Sequence, residues 1–179
     1  MKKTKFGIFA IVTAAVTAVT ALSGCRNPAR DKNNAANVTE IRDDMRLSSE
    51  DYRTKLLDTF GDWSHEAGII APALYGGEEY YLERDEFTAH VDTARGILDE
   101  FAAFYPPKKL DKQHNDVLLA TDTEYKWLDT AEKAYTAMEN KDQAAFDAAT
   151  DELQKYADES KFPSAVITMV QAINAEIKE

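Results

Sequence analysis

The feature that most constrains this chain is the rhythm of its apolar residues. Phe87, Val91, Ala94, Leu98, Phe101 and Tyr105 step by four, three, four, three and four. That spacing lines one face of an α-helix with a narrow apolar seam. A second seam runs through Leu110, His114, Val117, Thr121, Leu128, Ala131, Tyr135 and Met138, with Glu124 filling one seam position. Phe146, Ala149, Leu153 and Tyr156 form a third stripe, and Val166, Val170, Ile173 and Ile177 a fourth. Ahead of these, Ile41, Met45, Tyr52, Leu56, Phe60 or Trp63, and Ala67 recur at looser helical spacing. No alternating run of β-branched residues survives beyond residue 24. A helix with one apolar stripe must bury it against a neighbour, and short connections favour antiparallel neighbours. The expected fold is all-α, an antiparallel bundle of four to five helices over residues 37–179.

Breaks in the pattern divide the bundle. Asn37 or Thr39 is an acceptable first cap, and Ser48-Ser49-Glu50-Asp51 offers a fresh one, so residues 38–68 read as one helix or two. Pro72 followed by Gly76-Gly77 is expected to end that segment and open an irregular stretch over 69–82. Pro106-Pro107 is expected to stop the next helix. Asn140-Lys141-Asp142 makes a tight reversal with Asp142 as a cap, and residues 160–163 break the following helix.

Charge narrows the partners. The chain carries a net charge of -11, and its seven glycines and five prolines are few, as long helices require. From residue 45 onward there are 14 basic and 28 acidic side chains. Such a domain should repel nucleic acid and anionic bilayers, because phosphate binding needs clustered cations, and nucleic acid is excluded as a partner. Cation or cationic-partner binding stays open, with a soluble acidic surface the commoner explanation. Only one cysteine is present, so no internal disulfide can form and stability must come from packing.

That cysteine has a context. Met1-Lys2-Lys3-Thr4-Lys5 is a basic start, residues 6–22 are mostly apolar though diluted by Thr13, Thr17 and Thr20, and Leu22-Ser23-Gly24-Cys25 follows. The order resembles the signal peptide and lipobox of bacterial lipoproteins. The resemblance covers the first 25 residues. It implies a signal over 1–24, cleavage directed by Leu22, Ser23 and Gly24, and a diacylglycerol thioether on Cys25 that holds the protein to a cell membrane on its extracytoplasmic face. Loss of Lys2, Lys3 and Lys5 with the signal takes the net charge from -11 to -14. Residues 25–36 read as the lipidated start and a polar tether. A second likeness, in Pro106-Pro107-Lys108-Lys109-Leu110 with His114, Leu118 and Leu119 and running to about Tyr156, is to small helical surface lipoproteins without an assigned function. It brings no catalytic residues.

Chemistry-bearing constellations are sparse. Ferritin-like bundles hold metals with Glu-x-x-His pairs. Here Asp62-x-x-His65 and Asp111-x-x-His114 have that spacing, with Glu86 four residues before His90. Aspartate is one methylene shorter than the glutamate such sites use, and His90 is at the wrong offset. His65-Glu66 opens like a zinc-protease motif, but Ile69 stands where the second histidine belongs. His114, on the apolar seam, reads as a core histidine bonded to a carbonyl freed by Pro106-Pro107. No cofactor or catalytic residue is expected, and the one thiol is consumed by lipidation. Tyr75, Tyr80 and Tyr81 stand beside Glu78-Glu79 in the irregular stretch. The plainer reading packs one tyrosine over the bundle end and leaves another half-exposed, and the alternative is a recognition loop. The expected function is that of a non-enzymatic envelope interaction or spacer module. The alternative is a small ligand or metal held in the bundle interior.

Overall fold

In the computed structural model, residues 43–178 are described. Cys25, Leu22, Ser23 and Gly24, the expected tether over 25–36 and Ile41 lie outside them. Five α-helices form: α1 (Ser49–Tyr75), α2 (Arg84–Glu100), α3 (Asp111–Glu139), α4 (Gln143–Glu159) and α5 (Phe162–Ile177). The fold is all-α.

Cross-helix contacts fix the directions. Lys55 on α1 pairs with Glu100 at the end of α2, so these two run antiparallel. Arg95 reaches Asp129 and Glu132, and Arg84 reaches Glu139, which sets α2 antiparallel to α3. Arg53 bonds Asn174 and Phe60 meets the Phe162 ring, so α5 runs back along α1. α4 packs on the C-terminal half of α3, and α5 continues down its N-terminal half, where Lys109 pairs with Glu176. The chain thus goes up, down, up and down, and its last pass is broken at Ser160-Lys161. At about 1.5 Å per residue, α1 and α3 are each about 40 Å long.

The seams supply most of the core, though Ile177, expected on the last stripe, is exposed at the end of α5, whose buried face runs through Phe162, Val166, Met169 and Ile173. Tyr52, Leu56, Phe87, Val91, Ala94, Leu98, Phe101, Val117, Leu128, Ala131, Tyr135, Leu153, Val166 and Ile173 are buried in one cluster. Aromatic rings knit its middle: Trp63 lies edge-on to Trp127 at 6.3 Å, and Phe162 contacts Phe60, Trp63 and Phe101. Met45, expected on the first seam, is exposed, since residues 43–45 form a 3-10 turn ahead of α1.

Two helix ends differ from expectation. α1 does not stop at Pro72 but runs on to Tyr75, and Gly76 N–H closes the last turn on the Pro72 carbonyl at 2.7 Å. Proline has no N–H, so one backbone bond, to the Gly68 carbonyl, is forfeited. Burial of Ile70, Ala73 and Leu74 offsets that loss. α2 ends at Glu100, ahead of Pro106-Pro107. The Pro106 ring would strike the carbonyl four residues back, and Tyr105 before it is biased away from helix. The chain instead makes a turn that buries both Phe101 and Phe104. The caps expected at Ser48 and Asp142 form: Ser48 Oγ accepts from Asp51 N–H at 3.1 Å, and Asp142 Oδ1 from Ala145 N–H at 3.0 Å, while Asn37 and Thr39 lie outside the described residues.

Candidate functional site

The two ends of the bundle are built differently. At the end where the described chain begins, a polar cluster locks residues 46–52 to the start of α3. Arg46 is almost fully covered. Its Nη1 donates to the Pro106 carbonyl at 2.8 Å, and its guanidinium grips Asp111 through two bonds of 2.5 and 3.0 Å. Leu47 N–H bonds the Tyr105 carbonyl at 2.9 Å. Beside this clamp, the Tyr52 hydroxyl lies 2.7 Å from His114 Nδ1, and the Phe104 ring packs on both.

His114 is 4% exposed, and its Nε2 makes no hydrogen bond. If Tyr52 donates to Nδ1, the proton sits on Nε2 and one donor is orphaned. The opposite tautomer would orphan the hydroxyl proton as well as Nε2, so the first is favoured. Burial pushes the imidazole down to about 4, with Asp111 opposing and Arg46 assisting. The ring is neutral at pH 7. The core placement expected for His114 holds, but its bond does not: the carbonyl of Pro106 goes to Arg46, and the imidazole takes a hydroxyl from α1.

The four metal candidates are not assembled. Asp62 and His65 are exposed on α1, while Asp111 is taken by Arg46 and His114 by Tyr52. His90 bonds Glu66 of α1 at 2.7 Å rather than Glu86, which serves with Glu83 in the capping box of α2. Among the described residues no group of three histidine, cysteine or acidic side chains is placed to hold a metal ion.

A second buried polar pair lies half-way along the bundle. Glu124 is 8% exposed on the α3 seam and accepts from Ser160 Oγ, which also accepts from Phe162 N–H at 3.2 Å. Burial raises the Glu124 carboxyl, and the Ser160 bond opposes that rise. The break between α4 and α5 therefore coincides with the one carboxylate on the α3 seam.

The opposite end carries the three tyrosines. Tyr75, Tyr80 and Tyr81 are 53%, 50% and 48% exposed. The loop beneath them is nonetheless well fixed. Gly77 takes a positive φ of 86°, and a 3-10 turn spans Glu78–Tyr80. Tyr81 stacks on Tyr135 with centroids 6.5 Å apart, and Tyr135 stacks on Phe87 at 4.1 Å. The Tyr135 hydroxyl donates to the Leu82 carbonyl at 2.6 Å. Packing and exposure, posed as alternatives by the sequence, coexist here. Beside the loop, Arg84, Glu132, Thr136, Asn140 and Asp142 line an open depression.

The chain matches no protein-family model, no curated protein and no solved structure. Sequence reasoning missed Arg46, the Tyr52–His114 bond and the Glu124–Ser160 bond. Only the last had a local signal, a carboxylate on an apolar seam matched by a helix break.

Proposed function

We propose that this chain is a bacterial lipoprotein, held by a diacylglycerol thioether on Cys25 to the extracytoplasmic face of a cell membrane. Its bundle is a non-enzymatic module that engages or spaces another envelope component. The observation that carries this reading is the polarity of the bundle. Residues 43–48, the side on which Cys25 lies in the sequence, are clamped to one end by Arg46, and the exposed tyrosines stand at the other. About 40 Å of helix separates the two ends. A described chain that starts at one end and an aromatic loop at the other suit a module that projects its contact surface outward.

Further support comes from the interior. The core cluster is made of aliphatic and aromatic side chains, and two of its buried polar groups are taken by neighbours, His114 by Tyr52 and Glu124 by Ser160. Among the described residues no helix is long and apolar enough to cross a membrane.

Growth with labelled palmitate tests the anchor. The wild-type chain should take up label, and Cys25→Ser should take up none and stay unprocessed or be shed, because the thioether acceptor is gone. Label on the serine variant at the wild-type level would contradict the assignment.

A further inference from the structure

We infer that the tyrosine loop over 75–83 docks a polypeptide segment rich in lysine and arginine. The inference rests on the reading that this end of the bundle faces a partner, and adds the chemistry of that partner.

The first ground is that the loop is built to hold its rings outward. A Cβ on Gly76 would lie 2.8 Å from both Tyr80 Cγ and the Pro72 carbonyl, so the Tyr80 ring lies against the backbone where only glycine leaves room. Tyr81 is propped from below by Tyr135 and Phe87. Rings fixed before a partner arrives lose little entropy on binding, and tyrosine supplies large contact area for few rotatable bonds.

The second ground is charge. Glu78, Glu79, Glu83, Asp85 and Glu86 are all exposed on or beside the loop. The one cation among residues 75–86 is Arg84, and Glu139 already pairs with it. An approaching cation meets carboxylates and aromatic faces, whereas phosphate or an acidic surface is repelled.

The third ground is a precedent inside the molecule. Arg84 sits with its guanidinium carbon 5.1 Å from the Tyr135 ring centroid while it pairs with Glu139. An incoming arginine would find the same combination one layer further out, with Tyr80 or Tyr81 as the face and Glu78 or Glu79 as the acceptor.

The test is titration of the full chain in non-ionic detergent with short oligoarginine and oligolysine peptides at physiological ionic strength, where diffuse attraction is screened. Three variants of verified helicity are compared: Tyr80→Ala with Tyr81→Ala, Glu78→Gln with Glu79→Gln, and Asp58→Asn with Asp62→Asn. The last pair removes as much charge from the exposed side of α1. Both loop pairs should weaken binding by about tenfold or more, and the α1 pair by less than about twofold. Equal losses in all three, or no binding by the wild type, would overturn the inference. Capture at this loop of a neutral or acidic protein, a glycan or a second copy of the chain would also overturn it, while leaving the interaction module in place. The two readings therefore fail separately.

Discussion

His114 is neutral in the folded protein and free to titrate in the unfolded one, and this fixes the sign of a pH effect. Its pKa falls from 6.5 to about 4 on folding. Between those values the unfolded chain binds the proton and the folded chain does not, so stability is fully present above 6.5 and is lost as pH falls towards 4. The full effect is about 3 kcal/mol. Urea titrations across that window should show a slope in the wild type that His114→Phe lacks. A slope unchanged in the variant would assign the effect elsewhere. Glu124 works in the opposite sense. Its raised pKa contributes stability below the unfolded value that is lost as pH rises through the folded one. Glu124→Gln keeps an oxygen for Ser160 and removes the buried charge, so it should be neutral or stabilising at pH 7 by denaturant midpoint. A clear destabilisation would show the charge itself to be needed. The partners are hard to read from the sequence, because they come from elsewhere in the chain: Tyr52 lies 62 residues from His114 with no signal to join them, and Ser160 lies 36 from Glu124, marked only by a seam carboxylate and a helix break.

Helices were the legible level, because a seam is a local property of spacing. The stripes through Phe87 and Leu98, and through Val117 and Leu128, are buried where the spacing puts them. Helix ends were less legible where tertiary packing overrides local preference. Pro72 is carried within α1 by the burial of Ile70, Ala73 and Leu74, and α2 unwinds before its prolines to seat Phe104. Leu98→Ala and Leu128→Ala should each cost about 2–5 kcal/mol, the range for a buried leucine whose cavity does not collapse. Losses below about 1 kcal/mol in chemical denaturation would mean that these seams do not face a packed core. The loop was legible in composition but not in conformation: two glycines and three tyrosines announced a turn, and only packing shows that Tyr80 needs Gly76 beneath it. Gly76→Ala should therefore displace the Tyr80 ring while leaving total helicity unchanged. Near-ultraviolet circular dichroism would report the first and far-ultraviolet the second. An unaltered near-ultraviolet spectrum would count against the packing described.

At the scale of the whole molecule, the bundle depends on its apolar core and on no cross-link. A chain beginning at Asn37 should be soluble, strongly helical and insensitive to chelator, and helicity that collapses on metal removal would contradict this. The described part of the molecule has a direction: the Arg46 clamp stands at one end of the bundle and the acidic, aromatic loop at the other. The claim that function resides at the far end can be measured in intact cells. A photo-crosslinking amino acid at Tyr80 is compared with one at Asp62, exposed on the side of α1, and one at Asp43, beside the clamp. The account predicts a discrete adduct with an envelope protein from position 80 and none, or only diffuse products, from 62 and 43. Adducts of the same partner from Asp62 or Asp43 but not from Tyr80 would contradict it.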